Sequence, residues 1–127
     1  MTQDLLNRIG RVTDAVSAVR VPAMPEEYDI HALVGRSLSA AGIDYRHEFR
    51  LGPRRRIDFM AGGIGIEIKK GRPSARLVRE QLARYLECEA LEAVVVVAQK
   101  SLPLPGSIGG KPVRMVSLDR LWGVALP

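Results

Sequence analysis

The sequence predicts an α/β domain, a sheet of about four to five strands flanked by helices, with an additional helix at the N-terminus. Three observations carry this expectation. Residues 2–19, 26–41 and 74–89 repeat apolar positions at helical spacing. Residues 45–51 alternate apolar and polar side chains, and residues 56–69 form two short runs separated by Gly62-Gly63. Residues 93–98 are a continuous Val-rich run, the pattern of a strand covered on both faces.

In the first helix the stripe is Leu5, Ile9, Val12, Val16 and Val19. The two-proline connector Val21-Pro22-Ala23-Met24-Pro25 ends it, because a residue before proline is driven out of the helical region. Residues 1–21 therefore read as an N-terminal helix and linker, and residues 22–127 as the main domain. Packing on that domain is the simplest role for the helix, with a dimerisation or partner surface as the alternative. Pro25 suits the first turn of a second helix, and Glu26 and Glu27 suit the positive end of its dipole. Ile30, Leu33, Val34, Leu38 and Ala41 point inward, and Gly42 stops the helix. Glu26 and Glu27 flank that stripe, so one of them can face the sheet.

Tyr45, His47, Phe49 and Leu51 alternate with Arg46, Glu48 and Arg50 as a first strand, and Gly52-Pro53 turns the chain. His47 is expected on the packed face and His31 at the edge of its helix, with no histidine pair at metal-ligand spacing. Gly62-Gly63 is the preferred chemistry for a two-residue hairpin turn. Counting outward from it, Ala61 faces Ile64 and Asp58 faces Glu67. Alternation then puts Ile57, Phe59, Ile66 and Ile68 on one side, and Asp58, Glu67 and Lys69 on the other. Two carboxylates directly opposite across a strand pair stand about 5 Å apart at Cβ and repel when nothing positive lies between them. A divalent cation and Lys69 are the two candidates for that role. A solvated face on which Asp58 pairs with Arg56 and Glu67 with Lys69 is the plain alternative.

Ser74 is the expected N-cap of the third helix. Leu77, Val78, Gln81, Leu82, Tyr85 and Cys88 fall on its inward stripe, which leaves Gln81 as a polar side chain in an apolar setting. Gln81 either bonds a strand edge or reaches into the site beside Lys69. After the Val-rich strand, Pro103, Pro105, Gly106, Gly109 and Gly110 read as an irregular loop, residues 113–117 as a last short strand, and residues 118–126 as the end of the domain.

At 127 residues the chain is long enough for one core without disulfides or structural metal. Its single cysteine, Cys88, excludes an internal disulfide and any cysteine-rich zinc site, as expected for a reducing cytoplasm. No apolar run is long enough to span a membrane and no export signal begins the chain, so a soluble cytoplasmic protein is expected. Net charge is +5, with fifteen Arg against four Lys. The arginine fork suits phosphate, and Arg54, Arg55 and Arg56 run into the hairpin while Lys70, Arg72, Arg76 and Arg79 follow it. A polyanionic partner is expected. Few aromatic residues are present, which speaks against base stacking.

Asp58, then Glu67-Ile68-Lys69, then Gln81-x-x-x-Tyr85 on the next helix, resembles the PD-(D/E)xK nuclease superfamily. The order of elements is most similar to the RecB-like branch, and the small Holliday-junction resolvases share the core. The resemblance covers residues 26–117. Ile57 stands where the motif has proline. The resemblance implies a restriction-endonuclease-like core with a mixed sheet, and a Mg²⁺-dependent DNA endo- or exonuclease of repair or recombination type, selective for DNA structure. A catalytically inactive DNA-binding or protein-interaction module on the same fold is the alternative. It implies that Asp58, Glu67 and the Ile68 carbonyl hold Mg²⁺, with Mn²⁺ as a substitute. Glu27 is the counterpart of the helix acid, Glu26 standing next to it. Lys69 would orient the attacking water, while Gln81 and Tyr85 position the lysine and the DNA backbone. Arg54, Arg55, Arg56, Lys70, Arg72 and Arg76 would contact phosphates. A resolvase needs two sites, so a homodimer is left open.

Overall fold

The computed structural model describes residues 2–20 and 27–118, with side chains described from residue 29 onward in the second helix. The elements are α1 (Gln3–Ser17), α2 (Glu27–Ala40), β1 (Arg46–Gly52), β2 (Arg55–Ala61), β3 (Ile64–Lys69), α3 (Ala75–Tyr85), β4 (Ala93–Ala98), β5 (Ser107–Ile108) and β6 (Lys111–Ser117). They form an α/β fold with one six-stranded mixed open sheet in the order β1-β2-β3-β4-β6-β5. The β1-β2-β3 meander is antiparallel, β3-β4 and β4-β6 are parallel, and β5 closes on β6 as a short antiparallel pair.

The sixth strand departs from the expected four to five. It lies in the segment expected to be irregular, where Gly109 and Gly110 both take positive φ and fold Ser107–Ile108 back on Lys111 and Pro112. The hairpin between β2 and β3 turns at Gly62 and Gly63, both also at positive φ, with Ala61 opposite Ile64.

Each face of the sheet has its own apolar cluster. On one face α1 and α2 deliver Leu5, Ile9, Val12, Val16, Ile30, Val34 and Leu38 onto Phe59, Ile66, Ile68, Val95 and Val97. The other face receives Val78, Leu82 and Tyr85 of α3 on Ile57, Val94 and Val96. Every residue of β4 is buried, as expected of a strand covered on both faces.

Local signals set the helix ends. Thr2 caps α1 and Ser74 caps α3, each accepting the backbone N–H three residues on, at 3.1 and 3.3 Å. At the end of α2, Gly42 has φ +74°, and Ile43 N–H donates to the Leu38 carbonyl while Gly42 N–H donates to Ser39, a Schellman closure. α3 stops at Tyr85, four residues before the expected end, and Lys111 Nζ donates to the carbonyls of Leu86 and Cys88 beyond it. This shortening leaves Cys88 half-buried outside the helix. Leu77, expected to face inward, is 55 % exposed, because only Val78, Leu82 and Tyr85 of α3 bury fully. Pro25, Glu26, the Glu27 side chain and residues 119–126 lie outside the described residues.

α1 is held on the sheet by more than its stripe. Arg8 donates to the Gly62 carbonyl at the hairpin turn and pairs with Glu92 at 3.0 Å and Asp4 at 2.9 Å. Among the described residues no helix is long and apolar enough to cross a membrane.

Strict alternation fails at one place. Phe49 and Leu51 of β1 and Ile57 of β2 pack on the α3 side, whereas His47 and Phe59 stack on the α2 side. The expectation that Ile57 shares a face with Phe59, Ile66 and Ile68 is therefore corrected, as is the single apolar face expected for Tyr45, His47, Phe49 and Leu51. Glu48 takes φ +55° between the paired positions His47↔Phe59 and Phe49↔Ile57. That left-handed residue, opposite Asp58, turns both strands over without changing their register.

Ile57 consequently reaches across β3. A Cβ on Gly65 would stand 2.3 Å from Ile57 Cδ1 and 2.8 Å from Leu91 Cδ2. Gly65→Ala is expected to destabilise the fold by about 1–3 kcal/mol through overpacking, read as a lower urea midpoint at an unchanged m-value.

Candidate active site

The site lies where β2 and β3 part. The hairpin register runs from Ala61↔Ile64 to Phe59↔Ile66 and stops there, and Asp58 and Glu67, the next residues on each strand, meet through side-chain to backbone bonds. In an unbroken ladder the Ile68 N–H would bond the Ile57 carbonyl, and the Asp58 N–H would turn toward β1. Side chains take over instead. Ile68 N–H donates to Asp58 Oδ2 at 2.7 Å, and Asp58 N–H donates to Glu67 Oε1 at 3.3 Å. Each acid thus satisfies a backbone donor that the turnover at Glu48 and Asp58 removes from the ladder.

Glu67 is 5 % exposed and is the buried charged residue of the described core. Its second oxygen, Oε2, lies 3.3 Å from Lys69 Nζ, whose side chain is 21 % exposed. Burial and then the negative charge of Asp58 push the Glu67 carboxyl from 4.5 up to about 7, against the opposing pull of Lys69 and the Asp58 N–H. The lysine does not fully compensate the pair.

α3 approaches from the other side of β2. Gln81 Nε2 donates to Tyr85 Oη at 2.9 Å, and Tyr85 Oη donates to the Arg56 carbonyl at 3.2 Å. Gln81, half-buried, therefore bonds Tyr85 rather than a strand edge, and it is Tyr85 that reaches the strand carbonyl. Burial, then the charges of Glu67 and Asp58, raise the tyrosine hydroxyl above its ordinary range, so it stays protonated as the donor to Arg56.

From α2, His31 Nε2 lies 3.8 Å from Asp58 Oδ2, and His31 Nδ1 lies 2.9 Å from His47 Nε2. The sequence offered no sign of this pair, since its members sit on different elements sixteen positions apart. His47 stacks on Phe59 with ring centres 4.6 Å apart, and Tyr45 meets Phe59 edge-on at 5.4 Å.

Several of the basic residues hold partners within the fold. Arg55 donates to the Arg84 carbonyl and pairs with Glu87, Arg56 pairs with Glu48 at 3.3 Å, and Arg76 pairs with Glu80 at 3.0 Å. Arg54, at φ +61° in the β1–β2 turn, and Lys70 and Arg72 after β3 are exposed. Glu27 belongs to the first turn of α2 by its backbone, and its side chain lies outside the described residues.

Among the described residues no cluster of three or more His, Cys, Asp or Glu side chains surrounds a common metal position. Asp58 and Glu67 still fit a hard divalent cation by donor type. Such ions take one or two protein carboxylates and complete their shell with water and phosphate. A cation here would also oppose the burial and the Asp58 charge that together raise the Glu67 carboxyl to about 7.

The raised Glu67 value has a defined sign for stability. The folded state holds its proton more tightly than the unfolded chain, so this contribution is full below pH 4.5 and is lost as pH rises through about 7. In chelator, wild type is expected to lose up to about 3 kcal/mol more than Glu67→Gln between pH 4.5 and 8. Urea unfolding of the two proteins across that range measures the difference.

A scan against protein-family models finds no match, and neither a search of curated proteins nor one of solved structures finds a significant match. The functional reading accordingly rests on Asp58, Glu67 and Lys69 and on what surrounds them.

Proposed function

We propose that this protein is a divalent-metal-dependent nuclease that hydrolyses DNA phosphodiester bonds, built on a restriction-endonuclease-like core. The observation that carries the reading is the buried Glu67 carboxylate, bonded to the Asp58 N–H, with the Lys69 ammonium at its outer oxygen. Burying one acid against another is unfavourable, and a site that concentrates negative charge beside a lysine is suited to binding a cation and a phosphate together.

Asp58, Glu67 and the Ile68 carbonyl would hold Mg²⁺ or Mn²⁺, with Glu27 reaching the same ion through water. The bound ion would lower the pKa of a water and offset charge on the scissile phosphate and leaving oxygen. The chain's own groups supply the rest. Lys69 Nζ, partly exposed, would hydrogen-bond the attacking water or a phosphate oxygen, and a fixed cation there stabilises charge that grows in the transition state. Asp58 is kept in place by the Ile68 N–H, and Glu67 by the Asp58 N–H. Gln81 and Tyr85 hold α3 to β2 at Arg56, two residues before Asp58. Arg54, Lys70 and Arg72, exposed around the hairpin, would supply salt-sensitive affinity for the DNA backbone.

A second reading, an inactive DNA-binding module on the same fold, has one observation in its favour. Both carboxylates accept backbone N–H groups, so they also serve the fold. Cleavage of branched, linear and single-stranded DNA with Mg²⁺, Mn²⁺ or chelator separates the two readings. Metal-dependent cutting is expected, with Lys69→Ala slower by at least about a hundredfold. Glu67→Ala is expected to abolish cutting and keep DNA binding. Cutting that survives Lys69→Ala, or no cutting of any substrate, overturns the assignment. Mg²⁺ is also expected to raise the melting temperature more at pH 8 than at pH 5, where Glu67 holds its proton.

A further inference from the structure

A cleft of about 330 Å³ opens on the α2 side of the sheet, beside Asp58 and on the opposite face from Tyr85. Rings line it. Phe59 lies beneath His47, Tyr45 abuts Phe59 edge-on, and His31 sets its ring 5.2 Å from His47 at 61°. The chain is poor in aromatic residues overall, yet the fold gathers two of them with both of its histidines in this one place. Arg36 and Ser39 of α2 complete the lining. Gly35 leaves bare helix backbone against Tyr45, whose hydroxyl would lie 2.8 Å from a Cβ at that position. His31 belongs both to the cleft and to the candidate active site, because its Nε2 is 3.8 Å from Asp58 Oδ2.

We propose that this cleft receives an unpaired nucleobase of the DNA strand whose phosphate lies at Asp58 and Glu67, an inference that rests on the nuclease reading above. Three features select that occupant. The exposed His47 ring, backed by buried Phe59, and the half-buried His31 and Tyr45 rings offer flat surface against which any base can stack. The second ring nitrogen of His47, whose Nε2 is taken by His31, borders that surface with the Ser39 hydroxyl and the Arg36 guanidinium, the donors and acceptors that a base edge needs. Exposed Arg36 also adds a cation for the adjoining phosphate, whereas an aromatic side chain of a protein partner would bring no charge to meet it. The volume is at the low end for small-molecule sites and suits one base rather than a duplex. A base stacked within a duplex cannot enter, so the substrate preferred here carries an unpaired nucleotide next to the cleaved bond, as at a fork, flap or junction.

The test uses the full chain in chelator, so that no strand is cut, with single-stranded and forked oligonucleotides. Each carries either an abasic site or 2-aminopurine at one position in turn. An abasic site at one position relative to the fork is expected to weaken binding by on the order of tenfold, the weight of one stacked base. 2-Aminopurine at that same position is expected to lose fluorescence on binding. His47→Ala should remove both effects, and His47→Phe, which keeps a ring, should restore them. Equal affinity for abasic and intact strands, with no position quenched, overturns the base-binding cleft. If such a protein still cuts DNA with Mg²⁺, the nuclease reading stands without it. If the chain binds no DNA in any form, both fall.

Discussion

Everything at the candidate site depends on two acids forced together across one strand pair. Asp58 and Glu67 meet because the Gly62-Gly63 turn fixes the register of β2 on β3, and Tyr85 of α3 lies within reach of their charge. A buried carboxylate is tolerated only when its oxygens have partners. Here the partners are the Asp58 N–H and Lys69 Nζ, and the remaining imbalance appears as a carboxyl whose proton leaves only near pH 7. The same charge crowding that costs stability in the free chain would be relieved by a cation, so fold and proposed chemistry draw on one interaction.

The turnover at Glu48 and Asp58 makes this arrangement possible. A regular ladder would spend the Ile68 N–H on a backbone carbonyl and leave Asp58 as an ordinary outward side chain. With Glu48 at positive φ, the strands roll over between His47 and Phe49, and Asp58 is turned to take the Ile68 N–H. One consequence falls on each face. Ile57 and Phe49 join the cluster under α3, where Gly65 leaves room for the isoleucine. His47 and Phe59 stay on the α2 side, where they stack and meet His31. The acid pair and the ring-lined cleft therefore share a single backbone irregularity as their cause.

The arginines divide along the same lines. Those nearest the strands are engaged by the fold, Arg55 at the end of α3 and Arg56 on Glu48. Exposed pairs of this kind contribute little to stability, so Arg56 and Arg76 could exchange their carboxylates for phosphate at small expense. Arg55, bonded to a helix carbonyl as well, has more to lose. Charge counted from sequence therefore says little about which cations the fold itself engages.

By itself the sequence determined what depends on neighbours in the chain. Gly62-Gly63 set the hairpin, Ser74 and Gly42 set helix ends, the Val run set a central strand, and counting from the turn set the register as far as Phe59 and Ile66. Each of these follows from a local φ, a local hydrogen bond or a period of two or 3.6. Tertiary structure alone decided the rest. Glutamate carries no signal for the positive φ at Glu48, so the rollover and the resulting places of Ile57 and Phe49 were not legible. Leu77 is exposed although it falls on the expected stripe, because the stripe alone does not say how far a neighbouring surface extends. The His31–His47 contact, the depth of Glu67 and the cleft between α2 and β1 join residues far apart in sequence. Such contacts are set by packing of whole elements, and packing leaves no period in the chain for a reader to find.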